Sequence, residues 1–88
     1  MNQIFRVMGQ TEPVSVKKKD GTETSKCIVR LKAIGGKYSD EYVAAVLGNG
    51  ATVEYQQDDL VAADLSFSVH ENNGAFFQDV LVREIVKL

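Results

Sequence analysis

Apolar and polar residues alternate with a period of two along most of the chain, and helical periodicity is scarce. The alternation is clearest over Thr24 to Ala33, where residues 27, 29, 31 and 33 are apolar and the residues between them are mostly charged. This pattern predicts strands that turn one face toward a core and the other toward water. We therefore expect a mostly β protein.

Five strands follow from this alternation and from the turn signals between them. They are predicted over Asn2 to Gly9, with Val14 and Val16 continuing beyond a bend at Pro13, and over Thr24 to Ala33, Asp40 to Leu47, Leu60 to His70 and Phe76 to Val86. Asp20-Gly21 and Asn73-Gly74 predict hairpin turns, because glycine accepts a positive φ without steric cost.

One short helix is predicted over Ala51 to Gln57, with Asn49 as a candidate cap. Five strands with a helix between the third and fourth form the element order of the OB-fold, a Greek-key barrel. A small sandwich and an SH3-like barrel are the alternatives. Because 88 residues are too few for two cores, we expect a single OB-fold domain over residues 1–88.

The net charge of −2 conceals an uneven distribution of charged residues. Residues 1–37 contain eight basic and three acidic side chains, whereas residues 38–88 contain two basic and nine acidic ones. A positive stripe on a mildly acidic molecule is therefore one interpretation of the first half. Lysines that only aid solubility are the other.

The residue types present exclude most catalytic and metal-binding arrangements. The single cysteine, Cys27, cannot form an internal disulfide, and its place in an apolar alternation predicts a core position. The single histidine, His70, does not make a metal site, and no set of nucleophile, base and orienting group is present. We therefore expect neither an enzyme nor a bound cofactor.

The sequence also bears on location in the cell. The longest apolar run, Tyr42 to Leu47, is far shorter than a membrane-spanning helix requires. Residues 1–10 contain no basic segment leading into an apolar stretch, so no export signal is expected. A cytoplasmic protein without membrane contact is the resulting prediction.

Several segments resemble the bacterial and phage single-stranded-DNA-binding protein family. Ala44 to Gly48 is similar to the end of the family's third strand, and Asp59 to Asp64 is similar to the start of its fourth. The closing hairpin with Asn73-Gly74 and the segment Asp79 to Leu88 resemble its last strand. The opening residues Met1 to Ile4, with Gly9 and Pro13, resemble its first strand more loosely.

The chain also departs from the family pattern. It has no tryptophan, on which the family commonly stacks bases, and Leu65 stands where the family has a glycine. The expected helix is about one turn shorter, and the chain stops at Leu88 without the long acidic tail. The resemblance is thus to a short variant, in which phenylalanine and tyrosine would have to supply the stacking that the tryptophans provide elsewhere.

The resemblance implies a non-catalytic module that binds single-stranded DNA, or less readily RNA, with little sequence preference, in replication, recombination or repair. On the second strand, the alternation turns Lys26, Arg30 and Lys32 outward, with about 6.6 Å between alternate positions. In an OB-fold, this surface and the first and last hairpin loops bind the strand. The candidate contacts are Lys17, Lys18, Lys19, Lys26, Arg30, Lys32, Tyr38, Tyr42, His70 and Phe77.

Each candidate has a structural alternative. Consecutive lysines are typical of a solvated turn, Tyr42 suits a barrel wall equally well, and His70 suits a hairpin border. Phe77 shares its strand face with polar residues and Phe76 with valines, which favours Phe77 as the exposed ring and Phe76 as core. The resemblance further implies a homodimer or homotetramer. A barrel that serves only protein interaction is the second functional hypothesis.

Overall fold

The computed structural model describes residues 3–35 and 39–88. Within them lie six strands and one 3-10 turn: β1 (Gln3–Gln10), β2 (Val14–Lys17), β3 (Glu23–Ala33), β4 (Glu41–Leu47), the 3-10 turn (Gly48–Thr52), β5 (Leu60–Asn72) and β6 (Ala75–Lys87). The mostly β architecture that the alternation predicts is confirmed. No helix in these two ranges is long and apolar enough to cross a membrane.

The first predicted strand is divided into β1 and β2, which lie along the same edge of β3. β1 pairs with residues 29–33 of β3, and β2 pairs with residues 23–26. Pro13 interrupts the ladder because it has no N–H to donate. Thr11 bridges the gap, since its N–H donates to the Ile28 carbonyl at 2.9 Å and its hydroxyl accepts from the Ile28 N–H at 2.9 Å. β2 therefore continues β1.

The strands close into a ring. β1 pairs with β3 and β5, β3 with β4, and β5 with β6, all antiparallel. β4 and β6 close the ring in parallel, and Ala45–Leu81 is the one ladder pair between them in the described residues. The order around the ring is β1–β3–β4–β6–β5, which makes the protein barrel-like.

Apolar side chains from each strand of the ring fill the interior. The buried residues are Phe5, Val7, Cys27, Val29, Leu31, Ala44, Val46, Ala51, Val61, Ala63 and Val82. Cys27 is among them, 1% exposed, as its position in the alternation predicts. Among the described residues, no polar or charged residue is buried, so the interior gains from apolar contact without the cost of burying polar groups.

The α-helix predicted over Ala51 to Gln57 does not form, and that prediction was wrong. The 3-10 turn ends at Thr52, and residues 53–56 have no regular structure. The Gln10 side chain explains this, because its amide nitrogen donates to the Val53 carbonyl at 2.7 Å and its oxygen accepts from the Tyr55 N–H at 3.0 Å. These backbone groups pair with Gln10 as they would with a neighbouring strand.

β5 and β6 extend past the barrel as a two-stranded arm, residues 66–80. β5 pairs with β1 only over Leu60–Ala63, so in the described chain the two strands of the arm pair only with each other, apart from Ser66 at its base, which pairs with Leu81. Residues 67–79 are all exposed. Asn73 and Gly74 turn the chain at φ values of 54° and 80°, as the Asn-Gly signal predicts.

Candidate nucleic-acid interface

One face of the sheet runs continuously across four strands on the outside of the barrel. Ile28 pairs with Ala45, Ala45 with Leu81, and Leu81 with Ser66. Directly paired residues point to the same side, and so do alternate residues of one strand. This outer face therefore comprises Lys26, Ile28, Arg30 and Lys32 of β3, Glu41, Val43, Ala45 and Leu47 of β4, Phe77, Asp79 and Leu81 of β6, and Ser66, Ser68 and His70 of β5.

Three of the predicted cations lie on this face in one row along β3. Arg30 is exposed and Lys26 and Lys32 are half-buried, while the alternate residues of β3 are in the core. Arg6 of β1 pairs with Lys32 and extends the row by one cation on the neighbouring strand. The sequence did not predict Arg6 as part of this row, because only the register between β1 and β3 brings Arg6 beside Lys32.

Arg30 is not a free cation, since Glu41 of β4 binds it. The guanidinium Nη2 and Nε atoms lie 2.7 Å and 2.9 Å from the same Glu41 carboxylate oxygen. Glu41 pairs with Lys32 across the strands, so one carboxylate lies between two cations of the row. It lowers the positive potential of the outer face and competes with any anion for Arg30.

The predicted loop lysines lie at the tip of the hairpin that joins β2 to β3. Lys17, Lys18 and Lys19 are all exposed there. Asp20 orders the tip by accepting hydrogen bonds from the Thr22 hydroxyl at 2.6 Å and the Thr22 N–H at 3.0 Å, and these bonds lower the pKa of its carboxyl group. The tip thus carries three cations around one ionised acid.

His70 and Phe77 form a stacked pair on the outer face of the arm. Their ring centroids are 5.2 Å apart with an interplanar angle of 21°, and the His70 Nδ1 atom lies 2.6 Å from an Asp79 carboxylate oxygen. Phe77 is 46% exposed, whereas Phe76 is 75% exposed. The assignment of Phe76 to the core was wrong, because the arm carries both rings away from the barrel.

Of the two tyrosine candidates, Tyr42 does not lie on this surface. Tyr42 pairs with buried Leu31, so its ring points to the other side of the sheet from the cations. It makes edge contacts with Phe5, 5.8 Å between ring centroids, and with Phe67, 5.9 Å. The expectation that Tyr42 lies on or beside the cationic surface is corrected accordingly. Tyr38 falls outside the described residues.

Comparison with known proteins adds no assignment to this geometry. No protein-family model matches the chain, and no curated protein is significantly similar to it. The resemblance to single-stranded-DNA-binding proteins therefore stays a prediction from short segments. The residues of the outer face are the remaining indication of function.

Proposed function

We propose that this protein is a non-catalytic module that binds single-stranded nucleic acid, with DNA as its ligand and little sequence preference. We further propose that its barrel is an OB-fold. The ring order β1–β3–β4–β6–β5, with β2 prolonging β1, supports that assignment. The 3-10 turn between β4 and β5 occupies the place of the helix in that fold.

The row of outward cations on β3 carries the proposal. Alternate strand positions are about 6.6 Å apart, close to the spacing of phosphates along an extended single strand. Arg30 and Lys32 have this spacing, and Lys26 lies two such steps from Arg30, on a surface that their inward neighbours hold in place through the core. Arg6 supplies a further cation beside Lys32.

The remaining outer-face residues suit unpaired bases. The Phe77 ring, with His70 stacked on one side, offers its other side to a base, and such stacking contributes about 1–3 kcal/mol per base. Val43 and Leu47 are 64% and 45% exposed and add apolar contact area. Every base has an aromatic face, so this arrangement favours binding without sequence discrimination.

Salt dependence is the first test. We expect a dye-labelled oligothymidine to bind in a fluorescence anisotropy titration, and a duplex of equal length to bind more weakly. Three or four phosphate contacts predict a slope of log affinity against log salt of roughly −2 to −3. An affinity that does not change with salt would contradict phosphate contact.

A double variant and a control variant test whether the phosphate contacts lie on β3. Lys26→Gln together with Lys32→Gln removes two cations from the outer face, and we expect a fall in affinity of about tenfold or more and a shallower salt slope. Lys87→Gln is the control, because Lys87 lies near the end of β6, 3.3 Å from Asp59, and outside the row. Equal affinities in the double variant and the wild-type protein would refute the proposed face.

A second function, protein interaction, draws on one specific observation. In the described part of β3 and β4, the outer face carries exposed aliphatic side chains, including Val43 and Leu47, but no aromatic ring. Aliphatic patches beside cations are also typical of protein interfaces. This alternative predicts no binding to oligothymidine, and association with a protein that changes little with salt.

A further inference from the structure

A cleft lies at one end of the row of cations, where β1 runs beside the last residues of β3. Its volume is about 160 Å³, and it is lined by Arg6, Met8, Lys32, Ala33, Ile34 and Gly35. Arg6 pairs directly with Lys32 across the two strands, so both side chains lie on the outer face. The cleft therefore brings two cations together on an otherwise uncharged lining.

These two cations are only weakly neutralised by the protein. Like charges directly opposite each other destabilise a sheet, because their Cβ atoms are only about 4.5–5.5 Å apart. A carboxylate oxygen of Asp58 lies 4.0 Å from Arg6, whereas Glu41 approaches Arg30 to 2.7 Å. Lys32 makes no ion pair with any described residue. An anion bound in the cleft would relieve the repulsion between Arg6 and Lys32.

The charges around the cleft limit how far a phosphate chain can follow the row. Asp58 lies on the β1 side of the cleft, and Glu41 pairs with Lys32 on the β4 side. Beyond Lys32, residues 33–35 carry no charge. A phosphate chain that runs from Lys26 to Lys32 thus meets carboxylates on both sides and no further cation over these residues. The cleft is therefore the place on the row that suits the end of a strand.

We propose that this cleft binds the terminal phosphate monoester of a nucleic-acid strand. A monoester carries a charge of about −1.5 to −2 at pH 7, whereas each internal phosphodiester carries a single negative charge. Two adjacent cations match the additional charge, and the Arg6 guanidinium can donate two parallel N–H bonds to phosphate oxygens. The inference rests on the proposed function, which it extends from strand binding to recognition of a phosphorylated strand end.

The exposure of the two cations sets the strength of this preference. Arg6 has 44% of its side chain in solvent, and Lys32 is half-buried. Water therefore screens their attraction for phosphate in part, as it does for ion pairs at a protein surface. We expect a terminal phosphate to tighten binding about three- to tenfold.

Oligothymidines with different ends test the site. Fluorescence anisotropy compares strands of about eight nucleotides, within the site size of one OB-fold, that carry a 5′-phosphate, a 3′-phosphate or neither, with the dye attached inside the strand. We expect at least one phosphorylated strand to bind about three- to tenfold more tightly than the unphosphorylated strand. Arg6→Gln should reduce this ratio to within about twofold, because it removes one cation of the cleft.

Lys26→Gln is the matched control, since it removes one cation from the other end of the row. It should weaken binding of all three strands and leave their ratio unchanged. A ratio that survives Arg6→Gln, or that Lys26→Gln reduces equally, overturns the placement of the site in this cleft. Thermal unfolding of both variants checks the fold.

The outcomes separate this proposal from the proposed function. Equal affinities of the three oligothymidines for the wild-type protein overturn the terminal-phosphate site and leave the binding of single-stranded DNA in place. Absence of binding by all three contradicts the proposed function itself, and the inference that rests on it falls as well.

Discussion

At the scale of single residues, the contacts of a charged side chain decide whether it is available to bind a phosphate. Arg30, Lys26 and Lys32 look equivalent in the sequence, yet only Arg30 has a carboxylate oxygen at 2.7 Å. Glu41 reaches it because β3 and β4 pair in a register that places Glu41 opposite Lys32. The effective charge of the row is therefore smaller than its count of cations suggests.

Removing this carboxylate tests its competition with phosphate. If the outer face binds nucleic acid, Glu41→Gln frees Arg30, and we expect roughly two- to fivefold tighter binding of oligothymidine at low salt, the range of an exposed ion pair. Glu71→Gln is the control. It removes the same charge from the arm, on the side of the sheet opposite to the outer face that carries Glu41. Equal affinities in the two variants, measured by anisotropy, would show that Glu41 does not compete for Arg30.

At the scale of elements, backbone conformation fixes where strands end. Gly48 ends β4 and begins the 3-10 turn at a φ of 78°, in open space where a methyl group would meet no atom within 4 Å. An L-residue in this left-handed region is strained by its own backbone alone. The sequence predicted that this strand ends at Leu47, but not the irregular course of residues 53–56, where Val53 and Tyr55 bond to the Gln10 side chain.

A pair of alanine substitutions isolates this backbone effect. We expect Gly48→Ala to lower the free energy of unfolding by about 1–2 kcal/mol, the cost of the left-handed conformation. Gly9→Ala also enters open space, but its φ lies outside the left-handed range, so its effect should be within about 0.5 kcal/mol. Urea unfolding of both variants gives the comparison, and equal losses would argue against strain at Gly48.

At the scale of the whole molecule, Asp59 connects parts of the barrel that are distant in the sequence. Its carboxylate accepts the Gln56 N–H at 2.8 Å and lies 3.3 Å from the Lys87 ammonium, while its carbonyl accepts the Val7 N–H at 2.8 Å. The Gln56 hydrogen bond, and after it Lys87, lowers the pKa of the Asp59 carboxyl group below its ordinary value of 3.8. The ionised form is therefore favoured by folding.

This lowered pKa predicts how stability responds to acid. The contribution of Asp59 is fully present above the unfolded-state pKa of 3.8 and is lost as the pH falls through the lower folded-state pKa. We expect Asp59→Asn to lower the thermal midpoint at pH 6, with a difference from the wild-type protein that shrinks below pH 3.8. A difference independent of pH would assign the effect to packing instead.

The sequence predicted strand alternation well and contacts between strands poorly. Cys27, Lys26 and Arg30 lie on the faces that the period of two predicts, because alternation depends only on local geometry. Tyr42 was misplaced for a different reason. It begins an unbroken apolar run from Tyr42 to Leu47, so no alternation showed which face it takes, and only its pairing with Leu31 determines that.

The same limit applies to the candidate site. Arg6 and Glu41 belong to the outer face only through the registers of β1 and β4 with β3. The exposure of Phe76 follows from the length of β5 and β6 relative to the strands that flank them. These are properties of the assembled sheet, and no local pattern of residues encodes them.

The ring is closed between β4 and β6 by one ladder pair in the described residues, Ala45–Leu81, whereas β5 and β6 pair along almost their whole length. Separating β4 from β6 therefore breaks few hydrogen bonds and leaves the other ladders intact. A ligand lying across both strands on the outer face would bind the closed ring more tightly than the opened one. By linkage, such a ligand would also raise the thermal stability of the barrel in proportion to the logarithm of its concentration.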